Sequence, residues 1–146
     1  MKRATVIGWP IAQSKSPLIH SYWLREYGIK GSYDKQAVAP EALASFVGRA
    51  WQEGLAGFNA TLPHKEALMD WVEPDATAQA IGAINTVYRG PQGWLGTNTD
   101  GVGWWQSLGL SAAPRRALVL GAGGAARAIV HTLEVQGSHV TLANRT

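Results

Sequence analysis

The sequence contains no cysteine, which excludes disulfide bonds and thiolate metal sites. Charged residues make up only 16% of the chain, the net charge is +3, and the lysines and arginines form no dense basic run. Since a nucleic-acid surface usually needs a basic stripe, we expect no nucleic-acid partner. No apolar run approaches the roughly 20 residues that a membrane-spanning helix needs, so we expect no membrane association either.

The remaining composition is that of a globular protein. The chain has 146 residues, 46% of them hydrophobic, which is enough for one domain or for one and a fraction. Its first residues, Met1-Lys2-Arg3, precede an apolar stretch that is too short for the core of a signal peptide. We therefore expect a cytoplasmic protein.

Up to about residue 110, apolar strands alternate with amphipathic helices. Ser16 followed by Pro17 predicts a helix start with the serine hydroxyl as N-cap, and Gly28 predicts the end of that helix. Apolar residues recur along it at helical spacing: Leu18, Ile19, Tyr22, Trp23 and Tyr27. The other predicted elements are strands 4–8, 32–38 and 57–61, helices from Pro40, after Pro63 and over 77–80, a β-hairpin of 84–89 and 94–97, and a helix over 102–108.

The pattern changes after a plausible linker, Ser111 to Pro114. A continuous apolar strand at 116–120, a glycine turn, a helix at 125–136 and a strand at 139–144 form a βαβ unit typical of doubly wound (Rossmann) domains. The predicted fold class is α/β, with a substrate-binding domain at 1–110 and the start of a nucleotide-binding domain at 115–146. One βαβ unit cannot cover both faces of a parallel sheet. We therefore interpret the chain as a fragment; completion of the sheet by a partner chain is the alternative.

The glycine turn runs through Gly121, Ala122, Gly123, Gly124, Ala125 and Ala126 and fits the G-x-G-x-x-G/A fingerprint. Gly121 permits the tight turn, Gly123 lets a pyrophosphate approach the backbone, and Ala126 is small enough for close helix–strand packing. The following helix N-terminus offers N–H groups to phosphate. This context predicts dinucleotide binding, and the alternative is a glycine-rich turn without a ligand.

The end of the second strand indicates which dinucleotide. NAD-preferring sites place an acidic residue there, whereas this chain has Asn144, Arg145 and Thr146. A guanidinium suits a 2′-phosphate, so the sequence favours NADP as cofactor. The alternative is an exposed arginine with no ligand.

Four polar clusters in the first segment fall at predicted strand ends, where open α/β sheets bind ligands. They are Ser14-Lys15-Ser16-Pro17, Asn59 to Lys65, Gly82 to Thr86, and Gly96 to Asp100. Taken singly, each has a structural alternative: helix capping for the serines, a solvent-exposed Lys65, and a helix cap for Asp100.

Five motifs follow one another along the chain in this order: Ser-x-Ser-Pro, Asn-x-Thr-x-Pro-x-Lys, Gly-Ala-x-Asn-Thr, Gly-x-Asn-Thr-Asp-Gly and Gly-x-Gly-Gly-Ala-x-Arg. Taken together, they resemble the shikimate dehydrogenase family from about Val6 to Thr146. The resemblance implies reversible NADP-dependent oxidation of shikimate to 3-dehydroshikimate, a step of aromatic amino-acid (chorismate) biosynthesis. Family members are longer and return a C-terminal segment to the first domain. The resemblance is silent on oligomeric state.

The resemblance also implies roles for individual residues. Lys65 and Asp100 correspond to the catalytic pair. The substrate is held by Ser14 and Ser16 at its carboxylate and by Thr61, Lys65, Asn85 and Asp100 at its hydroxyls. The cofactor is held by Gly121 to Arg127 and by Asn144, Arg145 and Thr146. Two alternatives remain: a quinate-using relative within the family, and a non-catalytic shikimate-binding module.

Overall fold

The computed structural model describes residues 1–145, so Thr146, which the sequence assigns to the cofactor, lies outside the described residues. The elements are β1 (Lys2–Gly8), α1 (Ser16–Glu26), β2 (Gly31–Ala37), α2 (Leu43–Gln52), β3 (Gly57–Ala60), α3 (His64–Ala67), β4 (Glu73–Pro74), α4 (Ala76–Ile81), β5 (Thr86–Arg89), β6 (Trp94–Thr97), α5 (Asp100–Ser107), β7 (Arg116–Leu120), α6 (Gly124–Val135) and β8 (His139–Ala143). Within residues 1–145, no helix has the length and apolar character needed to cross a membrane.

Two sheets organise the chain. The first has six strands in the order β2-β1-β3-β5-β6-β4, and the second pairs β7 with β8 in parallel. β1 runs parallel to both β2 and β3, while β5 is antiparallel to its neighbours β3 and β6. We call residues 1–110 the first region and residues 115–145 the second region. The α/β fold class predicted from the sequence is confirmed, and its division into two domains stays a prediction.

The main core lies on one face of the six-stranded sheet. Helix α2 covers this face because its apolar residues recur at helical spacing, and Leu43, Phe46, Val47 and Ala50 are buried. Phe58 on β3 meets Phe46 edge to face, with ring centroids 5.2 Å apart. The first region thus has a closed hydrophobic core of its own.

The opposite face of the sheet is sparsely covered. Helix α1 lies over it without a single buried residue, although its apolar residues recur at helical spacing. Leu18 is 70% exposed and Tyr27 is 74% exposed. An open cavity of about 340 Å³ separates Leu24 and Ile29 from the sheet residues behind them. The spacing predicted the helix correctly, but burial also requires an outer layer that residues 1–145 do not supply.

Three local predictions need correction. Ser16 is the first residue of α1 and not its cap, since Lys15 occupies the cap position without a side-chain bond. The helix after Pro63 is short and passes into a 3-10 turn, Leu68–Asp70. Strand β4 was not predicted, because it has only two residues and one is Pro74.

The second region rests on the first through α6. At Gly101, near the start of α5, the two regions approach each other closely, since a Cβ placed there would lie 2.1 Å from Thr132 Oγ1 and 2.8 Å from the Ala128 carbonyl oxygen. The strands of this region are much less covered than those of the first. Leu120 on β7 is 75% exposed and Leu142 on β8 is 51% exposed.

Candidate functional site

Lys65, Asn85 and Asp100 form one hydrogen-bonded cluster. Lys65 Nζ lies 2.6 Å from Asp100 Oδ2, and Asn85 Nδ2 donates to Asp100 Oδ1 over 2.8 Å. The Lys65 and Asp100 side chains keep 15% and 29% of their surface exposed, while Asn85 is buried. The cluster therefore combines a charged pair that a ligand can reach with an amide that holds the carboxylate in place.

Three separate chain segments bring this cluster together. Lys65 is on α3, after β3; Asn85 immediately precedes β5; Asp100 begins α5, after β6. Buried Asn98 ties two of these segments, because its amide donates to the Ala83 carbonyl over 2.9 Å and its oxygen accepts from the Asp100 N–H over 3.0 Å. Asp100 makes no capping bond in α5, so its carboxylate is committed to Lys65 and Asn85.

Further polar side chains surround Asn85. Thr86 Oγ1 donates to Asn85 Oδ1 over 2.9 Å, and the Thr99 N–H donates to the same oxygen over 3.0 Å. Asn59 Nδ2 donates to Thr86 Oγ1 over 3.0 Å, and the Tyr33 hydroxyl donates to Asn59 Oδ1 over 2.6 Å. Asn59, Thr86 and Thr99 lie within the sequence motifs, but the motifs alone do not mark these three residues as part of the site. No motif marked Tyr33, which only the sheet brings close.

Ser14, Ser16 and Thr61 lie near the same sheet edge but contact the cluster through no hydrogen bond within residues 1–145. β1 and β3 are parallel neighbours, so the loops that follow them leave the sheet together. The Thr61 N–H donates to the Ile7 carbonyl over 3.0 Å, and the Ser16 N–H donates to Ser14 Oγ over 3.3 Å. All three side chains are partly exposed and available to a ligand.

The glycine turn packs directly against Lys65. A Cβ built on Gly124 would lie 3.6 Å from both Lys65 Cβ and Lys65 Cδ, an ordinary van der Waals contact. Gly121 has φ +106, which favours glycine, and its N–H donates to the Ala143 carbonyl over 2.8 Å. Gly123 is the cap residue of α6 and makes no side-chain bond, so the first turn of this helix is uncapped.

The basic groups predicted to hold the cofactor occupy different positions. Arg127 Nη2 lies 3.3 Å from Glu66 Oε2, and Arg127 Nε donates to the Ala122 carbonyl over 3.3 Å, so its side chain bridges the two regions. Asn144 and Arg145 follow β8 and are exposed. Because Leu120 pairs with Ala143 in parallel register, these residues leave the sheet beside the glycine turn. Ala125 and Ala126 lie in the first turn of α6.

Comparisons with known proteins find relatives of this chain. The family model for the shikimate dehydrogenase substrate binding domain matches residues 6–87. The shikimate dehydrogenase (NADP(+)) of Nitrobacter winogradskyi is 48% identical over 151 aligned residues, which cover 99% of this chain and 54% of that protein. The chain thus spans about half the length of the curated relatives it matches.

Solved structures are similar over the same extent. Shikimate 5-dehydrogenase from Thermus thermophilus, in complex with NADP(H) and shikimate, has a TM-score of 0.92 and 39% identity, covering 100% of this chain and 57% of that chain. The ligand-free 5-ketofructose reductase of a Gluconobacter species has a TM-score of 0.89 and 34% identity over 99% of this chain and 53% of its own. With a family model that matches more than half of its residues, the chain belongs to the shikimate dehydrogenase family.

Proposed function

We propose that this chain belongs to an enzyme that interconverts shikimate and 3-dehydroshikimate in aromatic amino-acid biosynthesis. The chain supplies the substrate-binding part of that enzyme and the start of its NADP-binding part. The observation that carries the proposal is the Lys65–Asp100–Asn85 cluster with the glycine turn packed against Lys65. In this proposal, a proton-transferring pair lies beside a turn that binds the dinucleotide. Substrate and coenzyme bound there would meet at one point, as hydride transfer requires.

In this proposal the substrate lies along the edge where β1 and β3 end. The Ser14 and Ser16 hydroxyls bind the carboxylate, and Thr61 binds a ring hydroxyl. Asn85 Nδ2 and the Lys65–Asp100 pair face the hydroxyl or carbonyl group that reacts. The relatives' names support this choice, as does a neighbouring structure that contains shikimate.

In the proposed reaction, residues of this chain carry out the proton transfer. Oxidation of a secondary alcohol removes the hydroxyl proton, and reduction of the ketone returns it. Lys65 Nζ and Asp100 Oδ2 are 2.6 Å apart, close enough to share a proton and to act as one unit. In the reductive direction, an ammonium group on Lys65 also polarises the carbonyl oxygen.

The coenzyme assignment rests on the fit of the turn. An uncapped α6 N-terminus and the exposed Gly123, where a Cβ would meet nothing within 4 Å, leave space for a pyrophosphate. Exposed Asn144 and Arg145 beside the turn suit the 2′-phosphate of NADP. When bound, NADP accepts or supplies the hydride. A cytoplasmic location belongs to the same proposal, since a biosynthetic enzyme meets its diffusible coenzyme there.

Ligand-dependent thermal unfolding of the chain tests the substrate assignment. Shikimate at 100 times its dissociation constant should stabilise the folded chain by about 2.7 kcal/mol, which raises Tm by several degrees. We expect smaller shifts with quinate and for a Ser16→Ala variant, because the loss of one hydrogen bond to a carboxylate weakens binding without abolishing it. Exposed Ser45, whose hydroxyl donates to the Ala42 carbonyl, provides the matched serine control as Ser45→Ala. Equal shifts with quinate would favour the quinate-using alternative. A cooperative transition that neither ligand moves would contradict the proposed substrate.

A further inference from the structure

We propose that Thr86 is a positioning residue, whose hydroxyl sets the orientation of the Asn85 carboxamide and thereby holds Asp100 opposite Lys65. The inference deepens the proposed function and rests on it for the identity of the site. It arises from a chain of hydrogen bonds that begins at Tyr33 on strand β2 and ends at the Lys65–Asp100 pair. The direction of donation at each link follows from the one before.

The first link is the Tyr33 hydroxyl, which lies 2.6 Å from Asn59 Oδ1. Burial, and then the neighbouring Asp34 carboxylate, raise the pKa of the Tyr33 hydroxyl well above its usual range. The hydroxyl therefore keeps its proton, and the observed hydrogen bond has it donate that proton to the oxygen of Asn59. The Asn59 amide group must then point the other way, where it lies 3.2 Å from the Asn85 backbone carbonyl and 3.0 Å from Thr86 Oγ1.

The second link passes through the Thr86 hydroxyl. An amide group can only donate, so Thr86 Oγ1 accepts from Asn59 Nδ2. A hydroxyl carries one proton, and that of Thr86 is therefore free to be donated to Asn85 Oδ1, 2.9 Å away. The Thr86 hydroxyl thus links the orientation of the Asn59 carboxamide to the orientation of the Asn85 carboxamide.

The third link is Asn85 itself. Its Oδ1 accepts from Thr86 and from the Thr99 N–H, so its Nδ2 faces Asp100 Oδ1 at 2.8 Å. If the Asn85 carboxamide rotated by half a turn, its oxygen would face the Asp100 carboxylate. Its amide group would then face the Thr86 hydroxyl and the Thr99 N–H, which are both donors. The observed orientation leaves Asp100 Oδ2 for Lys65. Thr86 reaches neither Lys65 nor Asp100 and acts through Asn85.

Hydrogen exchange of side-chain carboxamides, measured by NMR on the 15.6 kDa chain, tests the positioning directly. We expect the Asn85 Nδ2 protons to exchange slowly in the wild type and roughly ten times faster in Thr86→Val, which keeps the shape and removes the hydroxyl. Thr86→Ser, which restores a hydroxyl, should recover slow exchange. Thr97→Val is the matched control, because Thr97 pairs with Thr86 in the hairpin and makes no side-chain hydrogen bond within residues 1–145.

Wild-type exchange rates in Thr86→Val would overturn the proposal. Equal acceleration in the valine and serine variants would also overturn it, because the hydroxyl would then not be the cause. If Thr86→Val does not fold, Tyr33→Phe removes only the first donor of the chain. We expect Asn85 exchange to accelerate less in that variant, and unchanged exchange there counts against the proposal.

Shikimate affinity separates this inference from the proposed function. Shikimate should bind about tenfold more weakly to Thr86→Val, and within about twofold of wild type to Thr86→Ser. A wild-type chain that binds no shikimate contradicts the proposed function, while carboxamide exchange still decides the role of Thr86. Shikimate binding that is the same in Thr86→Val and wild type means that the orientation of Asn85 does not matter to the ligand, which overturns the positioning role.

Discussion

The two regions of this molecule bury their apolar residues to very different degrees. In the first region, Leu68 and Ile84 are fully buried under helices, although the face below α1 is open. In the second region, Leu118 and Leu120 of strand β7 are 64% and 75% exposed. The strands of the second region are more apolar than most of those in the first, so the difference in burial comes from how many layers pack against them.

The difference teaches that the functional site belongs mainly to the better packed region. Lys65, Asn85 and Asp100 are all supplied by elements of the first region, and their mutual contacts need nothing from the second. The second region contributes Gly124, which packs on the Lys65 stem. We therefore expect substitutions at the cluster to affect chemistry and substitutions at the contact between the regions to affect stability.

The largest effect should come from Lys65→Ala, which removes the amine that we propose transfers the proton and leaves both cores intact. We expect turnover of shikimate to fall about 10²- to 10⁴-fold, while shikimate binding is weakened but measurable. The assay follows NADP reduction in the chain joined to the C-terminal half of the Nitrobacter winogradskyi relative, because the chain spans 54% of that enzyme. Exposed Lys30 provides the control, as Lys30→Ala. Complete loss of binding together with turnover would mean that Lys65 only holds the ligand.

A large part of the fold could be predicted from the sequence, because short-range patterns determine it. The β-hairpin of β5 and β6 follows from its alternating residues around a glycine-proline turn, and β7-α6-β8 follows from the change of period after residue 115. Burial could not be predicted in the same way. The helical spacing in α1 indicates an apolar face, but whether another layer covers that face is a long-range property.

The candidate site shows the same limit. Its polar residues were found because they follow strands, where open α/β sheets bind ligands. Their contacts were not predictable, since Asn85 and Asp100 are 15 positions apart and Lys65 and Asp100 are 35 apart. Thr86 lies within a motif, but its contacts cannot be predicted from the sequence, because they depend on Asn59 from the neighbouring strand.

Paired leucine substitutions measure the packing difference between the regions. Leu68→Ala in the first region should lower the free energy of unfolding by about 2–5 kcal/mol, since it leaves a cavity in a closed core. Leu120→Ala in the second region should change it by less than about 0.5 kcal/mol, because this side chain already contacts solvent. Urea denaturation of both variants gives the comparison. Similar losses for the two would show that β7 is covered in solution.

The contact between the regions can be tested with two glycines of α5. A methyl group at Gly101 would collide with Thr132 and the Ala128 carbonyl, so Gly101→Ala should destabilise the chain by about 1–3 kcal/mol. Gly103 lies two positions further on, with nothing within 4 Å of a built Cβ, and Gly103→Ala should stabilise α5 by up to about 1 kcal/mol. Urea midpoints of both variants provide the measurement. A neutral Gly101→Ala would indicate that α5 and α6 separate freely in solution.

The smallest expected effect is a pH dependence that originates in the first region. His20 on α1 stacks on Tyr33 with ring centroids 4.0 Å apart, and burial lowers the pKa of the His20 imidazole below 6.5. A group with a lowered pKa in the folded state binds fewer protons there than in the unfolded chain, so its stability contribution is complete above pH 6.5 and is lost as the pH falls below that value. Because His20 is only partly buried, the loss should be slight, and His20→Gln should remove it.

Unfolding curves between pH 7.5 and about 5 test this pH dependence. If the regions unfold separately, only the transition of the first region should respond, and an equal response in both would show that they unfold as one unit.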